Sequence, residues 1–481
     1  MKVLLLPADG RPFHTQMPRA LASIAGHELM IPPAALLGRG ADSADSNGVF
    51  EFIESHAPLA DAIVISVDLV VHGGIEASRN AKLTFAQARE RLDRLAQIIH
   101  PHAARTTLFS SITAGTTSIT SETDAVIAGQ ISKLNSFRGR TLSNREAALR
   151  DELIQTIPRE TLDDYESARV RNHEIQLQLI ALMDRGVASR IVFLQNDSGE
   201  HGAHVSEEQQ LRERSRNRNI QFLTAREEAG VVLAAAAILD DDPQVFKVSV
   251  VLSDAPGMGR KALYESSPFR ENFHLYMRQL GFIVDHGAPD IELYLHPPVP
   301  KSCDLFQNPQ PERSLDVTQF VDLLRMSVAA RNYAILIDCG HTNGGDPHLM
   351  NQISKVTISG LSGYSASGTA SASVGTGLAQ AAMIALGNKT GKLNIEECTR
   401  LVWLQILDNY IFKTLARPEI QNRCIRDRID RYQFGRNAAD LDSILNTRMH
   451  ELAADLLPFG VPAFRARFPW NRLLECEIDW C

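Results

Sequence analysis

Four apolar segments of the sequence lead into an aspartate, and a histidine follows each aspartate within three to five residues. The pairs are Asp9 with His14, Asp68 with His72, Asp197 with His201, and Asp338 with His341. Carboxylates and imidazoles are the side chains that most often donate and accept protons in enzymes. Aspartate is also a preferred helix cap, which is the alternative for each acid taken alone. Four such pairs beside glycine-rich turns favour a polar site with a chemical task.

The segments that must position these acids have the character of short buried strands. The sequence predicts strands at residues 2–6, 27–31, 62–67, 106–109, 190–194, 220–223, 246–252, 281–284, 291–295 and 333–337. Between them lie segments with apolar spacing near 3.6, such as Phe85–Ile99, which is typical of helices. This alternation predicts parallel sheets, whose strands end along one edge where ligands bind. We therefore expect four catalytic carboxylates around one cleft: Asp9, Asp68, Asp197 and Asp338.

The predicted fold is α/β, with parallel-dominated sheets in two Rossmann-like blocks and a C-terminal helical segment. A length of 481 residues favours two or three domains. The expected division is an N-terminal α/β domain at 1–228 with a helical insertion at about 140–185, a second α/β domain at 229–390, and the helical segment at 391–481. The insertion is expected to break near Pro158. Two facing blocks would form an interdomain cleft, a common place for a small-molecule site.

Composition narrows the class of protein. With 44% hydrophobic and 22% charged residues the chain is typical of soluble globular proteins, and its formal charge of −8 argues against nucleic-acid or anionic-membrane partners. No segment has the length of a membrane helix or the pattern of a signal peptide, so a cytoplasmic enzyme is expected. The six cysteines all follow residue 300 without CxxC spacing, which gives no zinc-finger or disulfide pattern. The expected partner is a small-molecule substrate, with a homo-oligomer left open.

Two further segments carry polar or small residues in unusual density. Residues 338–346 combine two carboxylates, an imidazole, an amide and three glycines, although Asn343-Gly344 is also a common turn pair. Residues 360–377 are almost all small, and a helix is expected to begin near Leu378. Such a loop can bind a polar ligand through backbone N–H groups, or it can serve for close helix packing. Neither a P-loop nor a GxGxxG spacing is present, so nucleotide binding has little support.

Several short motifs resemble those of a bacterial family catalogued as domain of unknown function 4127. Pro-Ala-Asp-Gly-Arg-Pro at residues 7–12 is similar to the family's Pro-Leu-Asp-Asp-Arg-Pro opening. Residues 66–79 are similar to its Ser-x-Asp, Tyr-Gly-Gly and Ser-Arg stretch, and Asn-Gly-Gly-Asp at 343–346 resembles its Asn-Gly-Ala-Asp. Glu-Glu at 227–228 and the Asp, Tyr-Gln and Arg of 430–436 have counterparts as well. The resemblance implies a bacterial α/β protein of this length, intracellular or secreted, and brings no agreed activity.

The sequence also departs from that family. Gly10 replaces the second acid of the opening motif, and His72 stands where the family has a tyrosine. After Tyr364, the expected Gly-Trp-Asn reads Ala366-Ser367-Gly368. Loss of an aromatic ring and an amide puts in doubt any substrate specificity carried over.

The first functional hypothesis is a hydrolase that cleaves a glycosidic bond in a small polar, sugar-like substrate. Such enzymes use two carboxylates about 5–10 Å apart, one with a raised pKa. Only three tryptophans speak against a long polysaccharide groove. No cofactor is expected. The residues expected to bind substrate are Arg11, His72, Arg79, Asn343, Asp346 and Tyr364, with Arg79 placed to pair with Asp68 or with an anionic group of the substrate.

Two alternatives stay open. A divalent metal could activate water for amide or ester hydrolysis, with Glu200, His201 and His204 as ligands. That segment resembles the Glu-x-His-Gly-Pro-His element of creatininase-like amidohydrolases, but the two histidines are equally compatible with a surface position at the start of a helix. The protein could also be a small-molecule binder without catalysis.

Overall fold

The computed structural model of the protein describes residues 1–195, 199–216, 218–224, 228–241, 243–456 and 460–481. Asp197 and Glu227 lie outside the described residues. The chain divides into two compact units. The first comprises Met1–Thr15, Glu28–Gly230 and Tyr264–Ser266, and the second comprises Gln16–His27, Val231–Leu263 and Ser267–Cys481.

The first unit is built on a parallel sheet of six strands in the order β2-β1-β3-β4-β5-β6. The strands are β1 Lys2–Leu6, β2 Glu28–Met30, β3 Ala62–Ser66, β4 Thr106–Ile112, β5 Arg190–Gln195 and β6 Ile220–Thr224. The helices that alternate with them are α1 Pro12–Ile24, α2 Ser46–His56, α3 Val67–His72, α4 Phe85–Ile99, α5 Glu122–Asn135, α6 Asn144–Thr156, α7 Arg159–Asp184 and α8 Ala203–Arg214. Helix α1 continues from the first unit into the second.

Local sequence explains these elements. Every residue of β3 is buried, as expected of a strand covered on both faces. Helix α4 begins with a capping box between Thr84 and Gln87, and its apolar residues pack into a core shared with β1, β3 and β5. The helical insertion breaks at Pro158, because proline offers no N–H to an interior turn.

The second unit contains a parallel sheet of five strands in the order β11-β10-β9-β7-β8 and an antiparallel pair, β12 with β13. The strands are β7 Phe246–Leu252, β8 Phe282–Val284, β9 Ile291–His296, β10 Ala334–Asp338, β11 Gly363–Ser365, β12 Phe464–Arg467 and β13 Glu477–Trp480. The helices from residue 229 onward are α9 Ala229–Asp241, α10 Phe269–Gln279, α11 Thr318–Ala329, α12 Pro347–Met350, α13 Lys355–Ser359, α14 Ala370–Thr390, α15 Ile395–Gln405, α16 Arg417–Asp427 and α17 Ala438–Leu456. A π-helical stretch, Ile406–Ala416, joins α15 to α16.

The predicted fold class is confirmed. Two parallel sheets alternate with helices, and helices dominate after residue 391. The ten predicted strands are all present, with ends that differ from the prediction by at most three residues. Strands β11, β12 and β13 were not predicted: β11 lies within the small-residue segment, and β12 and β13 lie in the part of the chain that was predicted to be helical.

The small-residue segment is where the prediction was wrong. Helix α14 begins at Ala370, with Thr369 as its cap, rather than near Leu378. Close packing explains the composition, since a Cβ at Gly377 would lie 2.6 Å from Cγ1 of Ile337 on β10. Among the described helices, α14 alone is long and apolar enough to cross a membrane, but its most apolar stretch is wholly buried inside the protein. It is therefore a core helix.

Candidate active sites

The strand order of the first sheet reverses between β1 and β3. From β1 the chain passes first to β2 on one side and then to β3 on the other. Open α/β sheets bind ligands beyond the carboxyl ends of the strands at such a reversal. Leu6 of β1 faces Ile65 of β3, and Asp9 and Asp68 each lie three residues beyond this pair. The fold therefore delivers both acids to the position where a ligand is expected.

The backbone turn at Gly74 lies next to both Asp9 and Asp68. The Gly74 N–H donates to the backbone carbonyl of Asp68 at 3.0 Å, and a Cβ at Gly74 would lie 3.8 Å from Cβ of Asp9. Gly74 has a φ of +134°, a backbone conformation that residues other than glycine rarely adopt. Asp9 and Asp68 thus flank one turn of backbone.

Asp9 forms the centre of a buried charged group with Arg11 and His14. Its Oδ2 accepts from Nη2 of Arg11 at 2.7 Å, and its Oδ1 lies 2.6 Å from Nδ1 of His14. Burial alone would raise the pKa of the Asp9 carboxyl, but Arg11 and His14 hold that pKa well below its usual range. Nε2 of His14 is buried and has no hydrogen-bond partner among the described residues. A carboxylate on one ring nitrogen and a free second nitrogen is the arrangement of a general base.

Asp68 has the opposite electrostatic character. Its Oδ1 accepts from the Ser110 hydroxyl at 3.1 Å, and its Oδ2 accepts from the Ser111 N–H at 2.8 Å, both on β4. Burial raises the pKa of Asp68 to about 6, although the two serines and the charge of Arg79 act to lower it. Arg79 is itself buried. Asp68 therefore holds a proton at a pH where Asp9 is ionised, which is how acid and base roles are divided between carboxylates.

His72, a predicted substrate-binding residue, is buried in the last turn of α3. Burial, together with the charges of Arg171 and Arg91, lowers the pKa of His72 well below its usual value, so the ring is neutral. Its Nδ1 has no hydrogen-bond partner in the described parts of the chain. A neutral imidazole with a free nitrogen can accept a hydrogen bond from a polar ligand or donate one to it, depending on its tautomer.

The predicted metal ligands have unequal surroundings. Glu200 and His201 are exposed, whereas His204 is buried with Nε2 3.0 Å from the carbonyl of Gly199. Over the ranges that the structure describes, no three His, Cys, Asp or Glu side chains are grouped so as to hold a metal ion. The metal alternative stays a prediction.

Asp338 belongs to the second unit, where another reversal of strand order lies between β7 and β9. Its two oxygens accept from the N–H groups of Gly340 at 3.1 Å and Asp346 at 2.7 Å. Burial raises the pKa of Asp338 to about 6; His296 acts to lower it and the charge of Asp346 to raise it further. A shared cleft for all four predicted acids stays a prediction, because Asp197 lies outside the described residues and Asp338 is the last residue of β10, in the other sheet.

Asp346 and His296 form a buried ion pair close to Asp338. Nε2 of His296 lies 3.1 Å from Oδ2 of Asp346, and its Nδ1 lies 2.6 Å from the Ser253 hydroxyl. Burial opposes the charge on both groups, yet His296 keeps the pKa of Asp346 low, and Asp346 with Asp338 raises the pKa of His296. Asp346 also caps α12 by accepting from the His348 N–H at 2.7 Å.

Asn343 and Tyr364 have structural contacts in the same unit. Asn343 has a φ of +65°, its Nδ2 donates to Asp304 at 3.0 Å, and its carbonyl accepts from Arg417 at 2.6 Å. The Tyr364 hydroxyl is buried without a hydrogen-bond partner among the described residues. It lies so close to Gly345 that a Cβ there would be 2.1 Å from the oxygen. Their assignment to substrate binding stays a prediction.

Several residues whose side chains can transfer protons or act as nucleophiles were not predicted as site residues: His14, Ser253, His296, Cys303 and His341. His14 and His341 follow the strand-end aspartates, so the motif itself contained the signal. His296 directly follows the predicted strand 291–295, and the rule applied to aspartates would have found it. No pattern in the sequence singles out Cys303.

The chain belongs to a family whose members are described as proteins of unknown function, DUF4127, since the family model matches residues 3–479. This confirms the resemblance inferred from the short motifs. A search of curated proteins and a search of solved structures gave no significant match.

Proposed function

We propose that the protein is a hydrolase that cleaves the glycosidic bond of a small, polar, sugar-like substrate in its first unit. Asp68 is the general acid, and His14, oriented by Asp9, is the general base. The observation that carries this proposal is the opposed character of the two groups that follow β1 and β3. One is a carboxyl with a pKa of about 6, and the other is an imidazole held by an ionised carboxylate.

Unsatisfied polar atoms support a polar ligand. The buried polar atoms of the first unit without a hydrogen-bond partner among the described residues include Nε2 of His14, Nδ1 of His72 and Oγ of Ser111. They belong to the segments of β1, β3 and β4, three neighbouring strands. Because buried polar atoms are nearly always hydrogen-bonded, a ligand rich in hydroxyl groups is a suitable partner for them.

The proposed reaction needs only side chains and water. Nε2 of His14 takes a proton from water as the oxygen attacks the anomeric carbon, and the bond to the leaving oxygen breaks as Asp68 protonates it. Asp9 stabilises the imidazolium, and Arg11 keeps Asp9 ionised. Arg79 beside Asp68 is suited to bind a carboxylate or hydroxyl of the substrate. A base that activates water, rather than a nucleophile, gives inversion at the anomeric carbon.

We also place this reaction in the cytoplasm. Its six cysteines show no disulfide among the described residues, as is usual for proteins of a reducing compartment.

The test is a panel of 4-nitrophenyl α- and β-glycosides of hexoses and pentoses, assayed between pH 5 and 8. We expect turnover of at least one glycoside, with loss of about 10²-fold or more in Asp68→Asn and in His14→Gln. His56→Gln, which removes an imidazole from the end of α2, serves as the matched control. Proton NMR of the first-formed sugar checks inversion.

Three results would overturn the proposal. Saturable sugar binding without turnover of any glycoside favours the binding-protein alternative. Activity that chelator treatment abolishes and zinc restores favours the metal-dependent alternative. Full activity in a folded Asp68→Asn variant removes Asp68 from the mechanism.

A further inference from the structure

A chain of polar side chains crosses the carboxyl edge of the second sheet. It runs from Ser253 after β7 to His296 at the end of β9, then through Asp346 and His341 to Cys303. We propose that this chain is a second active site, in which Cys303 is a nucleophile for acyl transfer from small esters, thioesters or amides and His341 is its base. It uses other residues than the glycosidase proposal and does not depend on it.

The thiol and the imidazole are held together by backbone. Sγ of Cys303 lies 3.5 Å from Nδ1 of His341. The loops that carry them are joined by a short parallel bridge, in which the Thr342 N–H donates to the Cys303 carbonyl and the Leu305 N–H donates to the Thr342 carbonyl, both at 2.9 Å. His341 is buried, whereas Cys303 is partly exposed and within reach of a small reagent.

The hydrogen bonds select the tautomer of His341 that a base needs. The Cys303 N–H donates to Nδ1 of His341 at 3.2 Å, so Nδ1 is the unprotonated nitrogen, and the backbone N–H and the thiol at 3.5 Å share its one lone pair. The ring proton is then on Nε2, which lies 3.8 Å from Oδ2 of Asp346. Burial lowers the pKa of His341, so that the ring is neutral and can accept a proton.

His296 and Asp346 are positioning residues in this arrangement. Asp346 and Asp338 raise the pKa of His296 against the effect of burial, which favours the charged form of its ring. Both nitrogens of a charged imidazole are donors, so His296 cannot take the proton of Ser253. This leaves Cys303, rather than Ser253, as the nucleophile, with Asp346 between the two imidazoles.

The reaction balances with water as the second substrate. As Sγ of Cys303 bonds to the acyl carbon, its proton passes to Nδ1 of His341. The bond from the acyl carbon to the leaving group then breaks, and the leaving group takes that proton. Water attacks the carbonyl carbon of the resulting thioester and gives a proton to His341. The carbon–sulfur bond then breaks, the carboxylic acid leaves, and His341 returns the proton to sulfur.

The surroundings of Cys303 predict that the reactivity of its thiol depends on His341 as a base. Burial and the charges of Asp304 and Asp346 raise the pKa of Cys303, so it is not a preformed thiolate at neutral pH. Its reactivity should therefore require His341 and should increase with pH.

The test uses 4-nitrophenyl acetate with the full chain. We expect a burst of 4-nitrophenol, a hydroxylamine-sensitive acetyl group on Cys303 in peptide maps, and slow release of acetate. Cys303→Ala should remove the acetylated peptide and lower the rate at least about 10²-fold, and His341→Gln should have a similar effect. Cys398→Ala is the matched control, because Cys398 is also partly exposed. Asp346→Asn should shift the pH profile of acetylation, which loss of folded protein alone would not do.

Acetylation at other residues with an unchanged rate in Cys303→Ala would overturn the inference. If His341→Gln does not fold, the peptide map of the wild-type protein decides. The inference requires that Cys303 of this protein is first acetylated and then deacetylated. Glycoside and ester hydrolysis are measured on the same preparations and scored separately, so either proposal can fail alone.

Discussion

Nδ1 of His14 lies 2.6 Å from Oδ1 of Asp9, and the guanidinium of Arg11 binds the same carboxylate. The second nitrogen of His14 is left free within the described structure. Asp9 contacts both residues, so a comparison of Asp9 and His14 variants can separate what Asp9 contributes to stability from what it contributes to catalysis.

Asp9→Asn should lower both stability and activity. It removes the negative charge that Arg11 binds in a buried position, at a cost of up to about 3–5 kcal/mol in unfolding free energy. It also allows the wrong tautomer of His14, which should lower kcat by about 10²- to 10⁴-fold in the remaining folded enzyme. Urea unfolding and glycoside turnover on one preparation measure the two effects. His14→Gln should lose similar activity with less change in the urea midpoint, and equal destabilisation of both variants would contradict this account.

Asp68→Asn should change how stability depends on pH. Because the folded pKa of about 6 exceeds the usual 3.8, Asp68 contributes stability that is fully present below pH 3.8 and is lost as the pH rises through 6. At pH 8 the asparagine variant should be more stable than the parent by up to about 2–3 kcal/mol, and near pH 4 the two should agree. Asp338 titrates in the same window, so part of the slope remains. Thermal unfolding at several pH values measures this, and parallel curves would refute it.

Asp346→Asn should make the unfolding free energy less dependent on pH at both the acidic and the alkaline end of the range. The lowered pKa of Asp346 gives stability that is present above 3.8 and lost as the pH falls through the folded value. The raised pKa of His296 gives stability that is present below 6.5 and lost as the pH rises through its folded value. Between these limits the variant should be less stable by up to about 3–5 kcal/mol, since it removes the carboxylate that is hydrogen-bonded to a buried imidazolium. Asp42→Asn, a change in the other unit, is the control for urea midpoints across pH 3 to 8.

Gly345→Ala should destabilise the second unit through Tyr364. The added methyl group would lie 2.1 Å from the tyrosine oxygen, and overpacking of this kind costs about 1–3 kcal/mol. Tyr364→Phe removes that oxygen and should be neutral or stabilising, because the hydroxyl has no partner among the described residues. In the double variant, part of the loss should be recovered. A double-mutant cycle by urea unfolding tests the coupling, and simple additivity would show that the clash is relieved elsewhere.

The sequence alone determined ten of the thirteen described strands, the alternation of strands with helices and the parallel character of the two large sheets. The mostly apolar run Ile63–Ser66 and the helical spacing of apolar residues in Phe85–Ile99 are visible within each segment. No distant contact is needed to recognise a strand or a helix there. It also identified Asp68 and Asp338 as acids at strand ends, and burial raises the pKa of both to about 6.

Only the tertiary structure decided which strands are neighbours and which side chains meet. The reversal between β1 and β3 that brings together the segments of Asp9 and Asp68 depends on strand order, which local periodicity does not contain. Cys303 and His341 are separated by 38 residues, and their contact depends on a bridge between two loops. The start of α14 at Ala370 was likewise set by packing, because glycine and serine are tolerated in a helix where a strand such as β10 lies too close for larger side chains.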